Sequence, residues 1–405
     1  MIKKEKLQNK ILIDEISIEE KYKQINELFI HAKRPLFVFD DDTDGLSAFL
    51  LLYKKYRRGD YFILKTTPDL GMPLAEKLQD YTFDLLVILD IAIIRQEFFD
   101  SFDVPIIWID HHSPCEFRND TMEDFQIKKE EESIVEKVTV EKSDMSDSKD
   151  TENISEKNKV LYLNPRQYGY NIPTTALCYN VVQENEWIGM IGAIGDWHFP
   201  SFGKKFIEQY SFLLPEEMAP EEVMHKSRIG TLVRLISFNL RGDSRSVRKS
   251  IHILTKINDP LEILDGTTEE GRYLYDRYAE LNKEFEKLVE RAIRKKDEEP
   301  LIFLYEESQT SFTADLANEL QYRFPEKFII VGRSKSGSAK CSLRCSYLNL
   351  QEVLKTAMTG VSGTGGGHEF AVGVVIQDDT FPIFVENIKK IIEEKKEEEK
   401  KVKSK

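Results

Sequence analysis

Three short apolar runs, each closing on an aspartate, constrain the fold of this chain more than any other feature. They read "RPLFVFD", "FDLLVILD" and "VPIIWID" and end at Asp40, Asp90 and Asp110. A strand buried on both faces shows no polar alternation, so it reads as a continuous apolar run. Strands of this kind, alternating with helical patterns such as "DGLSAFLLLYKKYR", build a parallel sheet covered on both faces. "DYFILKTT" and "KVLYLNP" extend the pattern. The expected class is α/β, with an N-terminal doubly wound parallel-sheet domain.

The end of the first strand poses a chemical problem. "FVFDDDTDGLSAF" places Asp40, Asp41, Asp42 and Asp44 within five positions. Carboxylates this close repel and raise one another's pKa. A helix N-terminus accepts one or two anions but does not easily hold four. A bound cation would. In an open parallel sheet, ligands collect beyond the carboxyl ends of the strands, and the other notable residues stand there: Asp90, then Asp110 with His111 and His112. Asp196 follows at the end of the helical run "IGAIGD". Carboxylates with one or two imidazoles suit Mn²⁺ or Mg²⁺ better than zinc. There are enough of them for two ions sharing a carboxylate. Taken singly, each element has a plainer reading as a helix cap, a surface turn or a calcium loop. The glutamate that an EF-hand needs is missing, and a strand precedes the aspartates.

Composition narrows the class further. No apolar run approaches the roughly 20 residues needed to cross a membrane, and "MIKKEKLQNKILIDE" lacks the apolar core of a signal peptide. Four cysteines, Cys115, Cys178, Cys341 and Cys345, are too few for a disulfide framework and read as plain thiols in a reducing cytoplasm. The net charge of −14 is unevenly spread. Residues 116–159 carry 14 acids and 8 bases and read as a disordered insertion, whereas 226–256 hold 8 bases and one acid. That stripe is either a solvated helical face or a track for a phosphate backbone. The expected organisation is an N-terminal α/β domain over 1–214, a helical connector over 215–298, a smaller α/β domain over 299–388 and a charged, fraying helix and tail over 389–405. Near the end, "SGTGGGHEF" reads as a glycine-rich turn. Its backbone N–H groups could approach a phosphate closely, with Gly365, Gly366, Gly367, His368 and Arg344 as candidate contacts.

"DDDTDG", "LLVILD", "IDHH" and "IGAIGD" resemble the four motifs of the DHH phosphoesterase superfamily. "SLRCS" and "GTGGGHEFAVG" resemble its DHHA1 substrate-binding domain. The likeness spans roughly 35–380, apart from the acidic insertion, and is closest to the RecJ-like branch, including its archaeal members. The resemblance implies metal ligands at Asp42, Asp44, Asp90, His111 and Asp196, with Asp90 bridging two ions. Asp40 stands where many relatives have histidine and RecJ-like members often have aspartate. It also implies that Asp110 orients His111 and that His112 faces the scissile phosphate. The glycine-rich segment would face the metal site across a cleft. The implied activity is a two-metal phosphodiesterase, foremost an exonuclease on single-stranded nucleic acid or short oligonucleotides. Two alternatives are a phosphodiesterase or phosphatase for cyclic dinucleotides or 3′-phosphoadenosine 5′-phosphate, and a non-catalytic scaffold with a replication or repair partner.

Overall fold

The computed structural model describes residues 17–65, 69–112, 160–306, 310–335, 337–367 and 369–403. The acidic segment 116–159, Cys115 and His368 lie outside the described residues. The chain divides into two units, Met1–Val233 and Arg234–Lys405.

In the first unit, helix α1 (Ile18–His31) is capped by the Ser17 hydroxyl, which accepts from the Glu20 amide at 3.2 Å. It buries Ile18, Lys21, Ile25 and Phe29, the three-and-four spacing of one helical face. The strands that follow are β1 (Pro35–Asp40), β2 (Asp60–Leu64), β3 (Asp69–Leu70), β4 (Leu85–Leu89), β5 (Ile93–Ile94), β6 (Ile106–Ile109) and β7 (Val160–Leu163). β3 and β5 pair only with each other. The other five form a wholly parallel sheet in the order β2-β1-β4-β6-β7. Alternate residues serve opposite faces. Leu36, Val38, Leu86 and Ile88 join one core with Leu74, Leu78 and Phe98. Phe37 and Phe39 pack on the other face against Phe49 of helix α2 (Thr43–Tyr56). The apolar runs thus fold as the expected strands, buried on both faces.

Helix α2 is buried almost throughout, between the sheet and helices α3 (Thr174–Val182) and α4 (Glu186–Gly195). Close approach requires glycine at 192. A Cβ there would lie 2.2 Å from Thr175 Oγ1 and 2.7 Å from Ser47 Cβ. The chain leaves β1 toward β2 on one side and reaches β4 on the other, so the sheet order reverses beside β1. That is the topological switch point, where open α/β sheets bind ligands.

The division between the units falls within helix α5 (Arg228–Asn239). In the second unit, helix α6 (Ser244–Leu254) buries Val247, Ile251 and Leu254 and exposes Arg245, Arg248, Lys249 and His252. The basic stripe is shorter than the sequence suggests. Arg234 is bonded to Glu319 at 2.8 Å, Arg241 to Asp315 at 3.2 Å, and, in the first unit, Lys226 to Glu222 at 2.6 Å. Helix α7 (Glu269–Ile293) packs Phe285 and Val289 into one core with strand β8 (Leu301–Glu306) and helix α8 (Thr313–Arg323). Strands β9 (Ile329–Lys335), β10 (Ser338–Arg344), β11 (Gly363–Gly367) and β12 (Ala371–Gln377) complete a sheet ordered β11-β12-β10-β9-β8. Only β8 and β9 run parallel. Helices α9 (Leu350–Ala357) and α10 (Phe381–Lys403) cover its other face through Val353, Phe384 and Ile388.

One local reading differs from the structure. "GTGGG" is not a turn but an exposed edge strand on β12. Glycine permits the pairing, because a Cβ at Gly363 would lie 2.2 Å from the Val375 carbonyl oxygen. The charged C-terminal segment lies in helix α10, anchored by Ile388 and Ile392. No helix among the described residues is long and apolar enough to cross a membrane.

Candidate metal centre

The four motifs meet at the carboxyl ends of β1, β4 and β6. Asp90 follows β4 with φ of 60°, a left-handed conformation that few residues other than glycine adopt but that aspartate tolerates better than most. Its amide donates to the Ile109 carbonyl at 2.9 Å, and the Asp110 amide donates to the Leu163 carbonyl at 3.1 Å. Asp196 caps the carboxyl end of α4.

His111 sits among three carboxylates. Its Nε2 is 3.5 Å from Asp90 Oδ1 and 3.9 Å from Asp44 Oδ2, and its Nδ1 is 3.6 Å from Asp196 Oδ2. These separations exceed good hydrogen bonds. Two sets of side chains bring their ligand atoms within 4.8 Å of one another: Asp90, His111 and His112, and Asp44, His111 and Asp196. The sets share His111. Asp40 and Asp42 belong to neither.

Three of the four clustered aspartates find separate accommodations. Asp42 caps α2, accepting from the Gly45 amide at 2.8 Å. Asp44 is fully buried and accepts from the Thr174 and Thr175 amides, at 2.9 and 2.8 Å, at the N-terminus of α3. Thr175 Oγ1 also donates to the Asp44 carbonyl at 2.8 Å. Helix termini therefore satisfy two of the four. Asp40 accepts from the Asp41 amide at 2.9 Å.

These bonds do not relieve the cluster. Burial, then Asp42, pushes Asp44 up to about 7 against the lowering effect of its threonine partners. Burial and Asp42 push Asp40 to about 7 as well. Burial with Asp44 and Asp42 pushes Asp196 to about 8, and burial with Asp44 raises Asp90. Such displaced carboxyls gather where a cation or a reaction needs them. The donor set of carboxylate oxygens and imidazole nitrogens fits Mn²⁺ or Mg²⁺.

The resemblance implies that Asp110 orients His111, but the structure joins it to His112. Asp110 Oδ1 is 2.7 Å from His112 Nδ1, and the His112 amide donates to Asp110 Oδ2 at 3.1 Å. Burial lowers the His112 pKa, but the bond to Asp110 and its charge outweigh this and raise it. His111 is held differently, its carbonyl accepting from Arg166 Nε at 2.7 Å. Asn164 Nδ2 donates to the His112 carbonyl at 2.9 Å and to Asp110 Oδ2 at 3.3 Å.

Sequence reasoning missed Asn164, Arg166, Thr174 and Thr175. The available signal was the stretch "NPRQYGYNIPTT" after β7, in which a proline precedes two threonines at a helix start. Thr174 Oγ1 also donates to Asp90 Oδ1 at 3.1 Å.

The other candidates lie in the second unit. Arg344 ends β10 opposite Ala371, and Gly367 ends β11 opposite Val372, so both stand at one end of the sheet with β12 between them. Arg344 Nε donates to Asn318 Oδ1 at 2.6 Å, and burial lowers its pKa to about 10. Gly365 and Gly366 are exposed on the same strand.

A family model for the DHHA1 domain matches residues 311–398. RecJ from Thermus thermophilus, solved in complex with Mn²⁺, matches with a TM-score of 0.58 at 14% identity, over 92% of this chain and 54% of that one. The chain thus spans about half the length of that protein. An exonuclease RecJ bound to manganese matches with a TM-score of 0.52 at 14% identity, over 94% and 95%. A DHH-domain structure, described as a member of a family of ribosomal proteins, matches with a TM-score of 0.56 at 14% identity, over 95% and 92%. No curated protein matches this chain. The fold is shared with the RecJ and DHH-domain structures, and its C-terminal part with the DHHA1 domain. Residues 311–398 match a DHHA1 domain, and the fold of the chain is RecJ-like.

Proposed function

We propose that this chain is a divalent-cation-dependent phosphodiesterase that degrades single-stranded nucleic acid or short oligonucleotides from one end. One observation carries the reading: two ligand sets share His111 at the switch point of a parallel sheet, among carboxyls that burial and mutual repulsion hold far above their ordinary range. Asp44, Asp90, His111 and Asp196 would hold the cation, with Asp40 and Asp42 at the edge of the site. A bound Mn²⁺ or Mg²⁺ supplies an activated water and polarises the phosphoryl group. Asp110 orients His112 and raises its pKa, and His112 would stabilise charge on the phosphoryl oxygens. Thr174 and Thr175 fix Asp44 and Asp90. Arg344, with the bare backbone of Gly365–Gly367, would bind a further phosphate or sugar. Both RecJ structures with manganese support the choice of ion by analogy.

The test compares wild type with Asp90→Ala in Mn²⁺, using end-labelled RNA and DNA from dinucleotides to long single strands. Stepwise shortening by wild type alone is expected, and the label position gives the polarity. Absence of cleavage, followed by nucleotide or phosphate release from cyclic dinucleotides or 3′-phosphoadenosine 5′-phosphate, would replace this reading with the small-nucleotide one. Inactivity on all of them would leave a scaffold.

A further inference from the structure

Helix α4 ends at Asp196, and the chain turns through Trp197, whose φ of 56° is left-handed. Two bonds close the turn. The Trp197 amide donates to the Ile194 carbonyl at 3.0 Å, and the His198 amide donates to the Ala193 carbonyl at 2.9 Å. This pattern ends many helices, usually with glycine at the left-handed position because a Cβ is strained there. A bulky aromatic in that conformation is an outlier, and outliers of this kind gather at functional sites. The turn itself gives no reason for tryptophan.

The ring is also unlike the other tryptophans. Trp108 and Trp187 are 5% and 1% exposed, whereas Trp197 is 37% exposed. It stacks on no ring among the described residues. Its neighbour Asp196 lies 3.6 Å from His111, and consecutive Cα atoms are about 3.8 Å apart, so Trp197 is placed at the margin of the metal centre.

We propose that Trp197 is a stacking platform for the nucleobase of the nucleotide whose phosphate enters the cluster of Asp44, Asp90, His111 and Asp196. Every base presents a π-face, so such a platform binds purines and pyrimidines alike. The assignment rests on the phosphoesterase reading for the identity of the phosphate site, but its fluorescence test does not depend on turnover.

Trp197 is the only exposed tryptophan of three, so the emission that wild type has and Trp197→Phe lacks reports on it. Full-length protein is titrated with a nucleoside 5′-monophosphate and, as a probe without a base, ribose 5-phosphate. Both titrations use Mg²⁺, which does not quench. The nucleotide should quench the exposed component in wild type and not in Trp197→Phe, and ribose 5-phosphate should quench neither. On a dinucleotide, Trp197→Ala should raise KM roughly 5- to 150-fold, the range for loss of one base–aromatic stack. Trp197→Phe should recover most of that loss, and an abasic analogue should not distinguish the variants. Trp197→Gly separates structure from binding. It relaxes the turn and should fold well, yet its KM should match that of the alanine variant. A nucleotide that binds without quenching, or a glycine variant with wild-type KM, overturns the proposal. Quenching in a protein that cleaves nothing would uphold the platform and refute the phosphoesterase reading. Cleavage without quenching would do the reverse.

Discussion

Replacing Asp44 with asparagine keeps the side chain's size and removes its charge. In the protein, both carboxylate oxygens accept backbone amides at the start of α3, and the group is pushed up to about 7. A carboxyl raised in the folded state favours folding at low pH, and that advantage is lost as pH rises through the folded pKa. With an ordinary value of 3.8, the window runs from about pH 4 to 8. Between pH 4.5 and 8.5, ionisation of this one group removes about 3 kcal/mol from the cation-free protein. Asparagine does not titrate. It loses one acceptor, which costs about 1–3 kcal/mol at every pH. The stability difference between the two proteins should therefore move by about 3 kcal/mol in the variant's favour across that range, or roughly 6–12 °C in Tm. Thermal unfolding in chelator at both pH values measures it. Added Mn²⁺ should then stabilise wild type at pH 8.5 and leave Asp44→Asn nearly unchanged. An equal deficit at both pH values, with no response to Mn²⁺, would show that the carboxylate is a helix anchor ionised throughout, and the argument for a charge-stressed cation site would fail.

Asp110→Asn removes the anion that raises His112, so the alkaline limb of the pH–rate profile in Mn²⁺ should move to lower pH. An unmoved limb assigns the titration elsewhere. Gly366→Ala and Gly367→Ala should part company in a denaturant titration. A Cβ at Gly366 meets nothing within 4 Å, so the change should be neutral to about 0.5 kcal/mol. At Gly367, with φ of 147°, a Cβ would lie 2.4 Å from the Ala371 carbonyl oxygen, and a loss of about 1–3 kcal/mol is expected. Gly192→Ala drives a Cβ into Thr175 and Ser47, so it should weaken Mn²⁺ binding measured by calorimetry, although residue 192 holds no ion.

The sheet was legible because β1, β4 and β6 are buried on both faces and leave unbroken apolar runs ending in aspartate. The cluster was legible for a related reason, since parallel strands deliver their final residues to one edge. What could not be read were contacts made across long separations by ordinary residues. Nothing local marks Thr174 and Thr175 as partners of Asp44, 130 residues earlier. The same holds for the exchange of Asp110 from His111 to His112, because adjacent histidines look equivalent until the backbone orients them. Glycine misled at 363–367, where its freedom suggested a turn but the close approach of β12 uses it for a strand.

The double bond from Asp44 to the start of α3 changes how substitutions in related chains should be weighed. On the proposed function an aspartate there would serve folding and chemistry together, so a lineage that abandons hydrolysis is still under pressure to keep it. Its presence is weak testimony that a relative is an active enzyme. Asp196 carries no such second duty among the described contacts, and its side chain is 39% exposed. Loss of activity over evolutionary time should therefore register first at positions like Asp196 and last at Asp44, and a catalogue of active and silent relatives is better sorted by the former.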